Sequence, residues 1–365
     1  LEININMLKF SRQIQSSIVE QKKEKEFKYI PSGSTLLNCA ASDNSFGAYK
    51  IGTIVTIPGG SASGKTMLIY TMFAEICSMK RFDKFNLIYD DAEEALAIDI
   101  KKLFGAKTKE RVVPPRKNKD GESVYSETIQ DFKNNLMLCI KRNKPFVYVL
   151  DSLDSLSSDA EIDREYKLAL QSAKNGEQIK EIKGQQIADK ARAIGQCLRT
   201  IRQRLKNTKG LLIIIQQERT NIGGGMFRPE TITSGGRAPF YYSSHQIWMK
   251  KSKAIKKGEK KIGAKTRVSV MKNKLTGKER TVEFDIYYSY GIDDIGSQID
   301  FLIKEKIWKK KVGTIISPEF ISASREKLID YIEENNLQKK LKKITGQAWV
   351  DLENKLQLER KAKYT

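Results

Sequence analysis

Apolar residues fall along the chain in two rhythms. Short unbroken runs, TIVTI (53–57), FNLIY (85–89), FVYVL (146–150) and LLIIIQQ (211–217), have the length and β-branched content of strands buried on both faces. Longer segments between them carry apolar residues at helical spacing: TMLIYTMFAEICSMK (66–80), EEALAIDIKKLFG (93–105, stopped by Gly105), a stretch near 126–142, and AIGQCLRTIRQRLKN (193–207). IPSGSTLLNCAA (30–41) reads as a turn and a short helix, and HQIWM, TRVSVM and TVEFDIYY continue the strand pattern across 245–288. Strands apolar throughout, alternating with helices, predict an α/β fold with a mostly parallel central sheet covered on both faces.

The remaining segments break this rhythm. Residues 1–28 are charged and read as a helical lead-in, 106–124 hold two prolines and read as a surface excursion, and 158–190 are long, charged and weakly patterned. From about 297 the chain turns helical and lysine-rich. The predicted division is an N-terminal helical segment (1–30), a core (31–296) and a small, basic, α-rich C-terminal domain (297–365). That division suits 365 residues, at about 100–200 residues per domain.

Composition narrows the function. No run approaches the ~18–20 apolar residues of a membrane span, and the N-terminus lacks a basic start before an apolar run, so a cytoplasmic protein with no membrane partner is expected. Cys39, Cys77, Cys139 and Cys197 show no metal-ligand spacing and read as buried thiols of a reducing compartment. His245 is the only histidine, which argues against His-based metal sites and Ser/His/Asp chemistry. A net charge of +22 points to a polyanionic partner, because lysine and arginine gain free energy by releasing condensed counterions.

IPGGSASGKTML (57–68) matches G-x-x-x-x-G-K-[ST] at Gly59, Gly64, Lys65 and Thr66, with an apolar strand before it and an amphipathic helix after it. Backbone N–H groups from Gly59, Gly60, Ser61, Ala62, Ser63, Gly64, Lys65, Thr66 and Met67 form the expected phosphate cradle. Lys65 then reaches the β- and γ-phosphates, and Thr66 holds Mg²⁺. Asp151, ending FVYVL, is the second metal-side residue, acting through water. In YDDAEEAL (89–96), Asp91 and Glu93 follow a strand at its carboxyl end, where α/β sheets place ligands. Glu93 and Glu94 are equally first-turn acids favoured by a helix dipole, and spacing alone does not choose between these roles.

In this order the motifs resemble the RecA-like recombinases, including their phage-encoded branch, over roughly residues 30–310. IPSGSTLLNCA resembles the family's segment before the P-loop, DAEEAL its catalytic-glutamate segment, and DSLDSL its Walker B region. LLIIIQQERTNIGGGMFRPETITSGGRAPFYYSS resembles the sensor strand and second DNA-binding loop, and TRVSVMKNK a strand ending in two lysines that reach a neighbour's nucleotide. The resemblance implies that Glu93 orients the attacking water, that Gln217 senses the γ-phosphate and DNA, and that Lys272 and Lys274 act across a protomer interface. It assigns DNA contacts to Arg219, Gly223, Gly224, Gly225, Met226, Phe227, Arg228, Gly235, Gly236 and Arg237. Residues 158–185 fall at the family's first DNA loop but are longer and different. Tyr288 matches a base-stacking tyrosine, while Ala97 and Ile100 stand where the family holds adenine with an aspartate and a tyrosine.

The activity so implied is a DNA-dependent ATPase of recombination and repair, using ATP and Mg²⁺ in the cytoplasm of a bacterium or a phage-infected bacterium. It forms a head-to-tail filament on single-stranded DNA, the segment 1–30 serving oligomerisation, and pairs that strand with homologous duplex. Single-strand-binding and loading proteins are further partner classes. The rival readings are a hexameric helicase or translocase on the same core, and an ATP-switched scaffold or mediator without strand exchange.

Overall fold

A computed structural model of the chain describes residues 28–175, 183–220, 231–233 and 235–360. The expected helical lead-in, apart from its last residues, lies outside the described residues. The main sheet contains β1 (Thr53–Gly59), β2 (Asn86–Asp91), β3 (Val112–Val113), β4 (Phe146–Asp151), β5 (Gly210–Thr220), β6 (Thr231–Thr233), β7 (His245–Lys257), β8 (Lys260–Asn273), β9 (Arg280–Tyr287) and β10 (Gly291–Asp293). Their spatial order is β10-β9-β8-β7-β1-β5-β4-β2-β3, with β6 antiparallel beside β5. From β7 to β3 every pairing is parallel; β8, β9 and β10 extend the sheet as an antiparallel meander.

The unbroken apolar runs follow from burial on both faces. Side chains alternate across a strand, so Val55, Ile57, Leu87, Tyr89, Val147, Val149, Leu211, Ile213 and Ile215 join one apolar cluster. Ile54, Ile88, Tyr148, Leu150, Leu212 and Ile214 join the other. Helices α1 (Thr35–Ser42) and α2 (Lys65–Ser78) cover the first face; α3 (Ile129–Lys141) and α5 (Lys183–Leu205) cover the second. Between these last two lies α4 (Asp159–Asn175). A third cluster, including Ile299, Leu302, Trp308, Leu328, Ile332 and Leu341, is built from α6 (Asp294–Lys304), α7 (Arg325–Glu334), α8 (Gln338–Lys355) and a small hairpin, Lys309–Lys311 with Thr314–Ile316.

Helix α8 rests on the core through paired charges and one ring stack. Lys342 bonds Glu75 of α2, and Trp349 stacks on Phe301 at 5.8 Å while donating to Asp43 at 3.1 Å. Glu353 accepts from Arg280 Nε at 2.5 Å and Nη2 at 2.8 Å, and pairs with Lys278 at 2.9 Å.

Three segments differ from the sequence expectation. EEALAIDIKKLFG is helical only over Ile100–Phe104. Upstream, the Asp91 carboxylate accepts from Leu96 N, Glu94 turns the chain at φ 50°, and Asp99 caps the helix by accepting from Lys102 N. Local aspartate bonds thus outcompete the periodic pattern. Residues 158–190 are not unpatterned: α4 starts at a capping box in which Ser158 N donates to Glu161 and Glu161 N to Ser158 Oγ. Arg164 then ties α4 to Asp189 of α5 at 2.5 Å. Within 106–124, Val112–Val113 joins the edge of the main sheet, and only the hairpin Arg116–Lys117 with Ser123–Val124 is an excursion.

Candidate nucleotide site

The loop between β1 and α2 crosses the carboxyl ends of the parallel strands. Gly64 sits at φ 94°, and a Cβ there would lie 2.2 Å from Ile286 Cδ1 of β9. At Gly59 a Cβ would lie 2.5 Å from the Met249 carbonyl of β7. Both positions therefore require glycine, which lets the loop close against neighbouring strands. Thr266 Oγ1 of β8 donates to Ser63 O at 3.2 Å and pins the loop. No side chain caps the start of α2, so its first N–H groups face the loop's concavity as anion donors.

Ser61, Ala62, Ser63, Gly64, Lys65, Thr66, Met67, Glu93, Asp151, Gln217 and Tyr288 line one cavity of about 410 Å³ together with Ile98, Ala264, Thr266 and Ile286. Gly59 and Gly60 serve it differently, each offering a carbonyl to Lys65 Nζ at 2.8 Å. Burial lowers the Lys65 pKa, against the pull of Asp151 and Glu93. Asp151 Oδ2 accepts from Tyr89 at 2.5 Å and from Thr66 Oγ1 at 3.2 Å. Burial raises its carboxyl above the ordinary range, while those bonds pull it back down. The Thr66 hydroxyl and Asp151 carboxylate are hard oxygen donors of the kind Mg²⁺ prefers, and they fit that ion.

Glu93 and Glu94 part company here. Glu93 Oε1 accepts from Ser152 Oγ at 2.6 Å and from Gln217 Nε2 at 2.7 Å, and Glu93 N donates to Asp151 O at 3.2 Å. Gln217 N donates to Asp154 Oδ2 at 2.7 Å. Gln217 thus touches the Glu93 carboxylate with its side chain and Asp154, three residues past the end of β4, with its backbone, three residues before β5 ends.

Lys272 and Lys274 lie elsewhere. Lys272 pairs with Gln246, which pairs with Thr56, three positions before Gly59. At ~3.3 Å per residue, that is roughly 10 Å toward the amino rim of the parallel strands, away from the P-loop. There Lys272 donates to the Phe240 and Tyr241 carbonyls, its Nζ 4.4 Å from the Phe240 ring centroid, and Lys274 donates to Tyr241 O at 3.2 Å. Arg202 Nη1 donates to Tyr242 O at 2.9 Å beside them. Burial first, then Lys274 and Arg202, lowers the Lys272 ammonium to about 8.

Gly223, Gly224, Gly225, Met226, Phe227 and Arg228 lie outside the described residues, as does the Arg219 side chain. Gly235 and Gly236 adopt φ 84° and 66°; a Cβ on Gly235 would lie 3.1 Å from both Leu153 and Ile194. Arg237 is exposed and precedes the helix Ala238–Tyr242. Ala97 and Ile100 do not line the cavity; Ile98 does. His245 is buried, with Nε2 3.1 Å from Ala41 O, and the cysteines are buried free thiols.

Sequence reasoning missed Tyr89, Ser152, Asp154, Ile98, Ala264, Thr266, Ile286 and Arg202. For Ala264, Thr266 and Ile286 the period-2 alternation of β8 and β9 held a usable signal. Arg202 gave none, since its neighbours at the rim are about 40 and 70 residues away in sequence.

The family model for the RecA N-terminal domain matches residues 4–293. The chain is 30% identical over 312 residues to Protein RecA 2 of Myxococcus xanthus, covering 85% of this chain and 78% of that one. It is 29% identical over 308 residues to Protein RecA of Geobacter metallireducens (84% and 80% covered). Against Protein RecA of Symbiobacterium thermophilum it is 30% identical over 305 residues (84% and 74% covered). Among the described residues, no helix is long and apolar enough to cross a membrane.

Proposed function

The chain belongs to the RecA family of DNA-dependent ATPases, and from that membership we propose that it assembles head to tail on single-stranded DNA, with ATP held between neighbours, and promotes pairing and strand exchange with homologous duplex. One observation carries the reading. The phosphate loop, Glu93 and Gln217 gather at the carboxyl rim of the sheet, while Lys272 and Lys274 gather at the amino rim, out of reach of that loop. Parts of one site on opposite rims serve a nucleotide only when another copy supplies the second half. A heterologous contact of that kind propagates into an open helix when its rotation does not close.

In this reading Lys65 leaves the Gly59 and Gly60 carbonyls for the phosphates, and the N–H groups of the loop and α2 take the remaining phosphate oxygens. Thr66 and Asp151 hold Mg²⁺, which when bound screens the charge of the phosphates. Glu93 orients the attacking water. Gln217 divides its amide between Glu93 and the γ-phosphate. Its strand leads into the DNA-binding segment, Arg219 through Arg237, so DNA and phosphate compete for one side chain's position. Lys272 and Lys274 stabilise phosphate charge on the neighbour, and Tyr288 with Ile98 flanks the base. Residues 31–296 act as the ATPase core and 297–365 as a basic appendage, inside a bacterial cytoplasm.

The test is electron microscopy of the protein with single-stranded DNA and a non-hydrolysable ATP analogue, alongside a joint-molecule assay. Helical filaments and joint molecules are expected. Closed rings with unwinding of a forked duplex would instead support a translocase, and filaments without joint molecules a scaffold. Glu93→Gln is expected to bind ATP and DNA while turning over ~10²–10⁴-fold more slowly; turnover at the parent rate removes Glu93 from its role.

A further inference from the structure

The lysines of the amino rim have an arginine beside them. Helix Ala238–Tyr242 presents the carbonyls of Phe240, Tyr241 and Tyr242 in succession, and each accepts from a cation: Lys272, then Lys272 with Lys274, then Arg202. Arg202 arrives from the last turn of α5, the lysines from the end of β8. Among the described residues, the bonds of these three side chains go only to carbonyls, and no carboxylate pairs with any of them. A cavity of about 290 Å³ beside them is lined by Lys50, Arg202, Lys206, Tyr242 and Ser244 among others, with no acid in its wall. The end of one short helix offers only a fraction of an electron charge, about half. Burial first, and then Lys274 and Arg202, lowers the Lys272 ammonium, and the positive charge of three crowded cations exceeds that fraction several-fold. A multiply charged anion relieves it.

We propose that Arg202 is a third cation acting in trans, its guanidinium meeting the terminal phosphates of the ATP held by the neighbouring copy's P-loop, beside Lys272 and Lys274. The proposal rests on the head-to-tail reading above. Nη1 is committed to Tyr242 O, which fixes the guanidinium plane and leaves its other N–H donors for phosphate oxygens. The group is exposed at the rim, and a guanidinium presents its donors in a planar fork that matches phosphate oxygens two at a time. The competing account is that Arg202 merely caps its own short helix.

Mixed assemblies tell whether Arg202 serves its own P-loop or the neighbour's, and nucleotide-free thermal melts tell whether it merely caps its helix: an Arg202→Ala melt well below the parent's overturns the inference in favour of capping, and an unchanged melt supports it. Arg202→Ala alone is expected to lose DNA-stimulated turnover by roughly 10²-fold, as for removal of one preorganised donor, with ATP binding to the isolated chain unchanged. Arg202→Lys, which keeps charge without the fork, is expected to fall between Arg202→Ala and the parent. Arg202→Ala is then mixed in equal amounts with Glu93→Gln, which holds ATP and carries an intact Arg202. In randomly mixed head-to-tail assemblies, about a quarter of seams join a competent P-loop to an intact trans face, so turnover is expected to recover to about a quarter of the parent rate. Lys272→Ala mixed with Glu93→Gln is the companion measurement. If Lys272→Ala recovers and Arg202→Ala does not, Arg202 works within its own copy and the inference is overturned. If neither recovers, the trans arrangement itself fails. Full stimulated turnover by Arg202→Ala alone also overturns the inference while leaving the lysines' role standing.

Discussion

Glu353 is the residue whose replacement has the most calculable outcome. Its side chain is 8% accessible and sits between Arg280, which grips it with two nitrogens, and Lys278. The Arg280 bonds, and then those of Lys278, hold its carboxyl at about 2, against an ordinary 4.5. Each tenfold change in proton affinity is ~1.4 kcal/mol, so the displacement corresponds to ~3.5 kcal/mol unscreened; solvent around the partly exposed Arg280 and Lys278 reduces the stabilisation of the docked α8 to roughly 2–3 kcal/mol. The sign follows from the downward displacement. The stabilisation is complete above pH 4.5 and is lost as pH falls from 4.5 toward 2. Glu353→Gln is therefore expected to cost ~2–3 kcal/mol at neutral pH and progressively less below pH 4.5, where the unfolded parent's carboxylate takes up a proton that the folded one still refuses. Urea titrations of parent and variant, followed by tryptophan emission between pH 7 and pH 3, measure the gap; Trp349 lies four residues away on the same helix. A gap that is absent at pH 7, or that stays constant down to pH 3, refutes the reasoning.

Other outcomes follow from the site. Gly64→Ala meets both a φ of 94° and a side chain at 2.2 Å, so a loss of about 1–3 kcal/mol and a large drop in ATP affinity are expected in thermal melts with and without nucleotide. Gln217→Ala leaves Glu93 with Ser152 as its remaining side-chain donor; basal turnover should survive while DNA stimulation disappears, as read by ATPase rates with and without single-stranded DNA. Lys272 is charged below its pKa of about 8 and neutral above it, so stimulated turnover should decline as pH rises through 8, and Lys272→Arg should move that decline upward. Retention of the same pH limb in Lys272→Arg assigns the limb to another group.

Much of this was legible in the chain. The apolar runs announced a sheet buried on both faces, because each strand had to satisfy two cores at once. Glycine at 59 and 64 announced a tight loop between strand and helix, because neither position leaves room for a Cβ. The choice between Glu93 and Glu94 was not legible from spacing. It depends on Asp91 and a left-handed Glu94 turning the chain, and on donors from Ser152 and Gln217, more than fifty residues away. The helix expected from 93 failed for the same reason: periodicity registers apolar spacing and is blind to aspartates that bond their own backbone. Ser158 and Glu161 did carry a visible helix start, but the weak apolar pattern around them masked it.

The sheet's two rims give any stack of these molecules unequal ends. In the head-to-tail stack proposed above, the copy at one end would hold ATP that no other copy serves, and the copy at the other end would extend lysines toward nothing. Such a stack of n copies would have n − 1 working seams, so short stacks would be disproportionately idle and a lone chain idle altogether. Fuel consumption would then become a measure of length, and the growing structure would burn little until it is long enough to be useful.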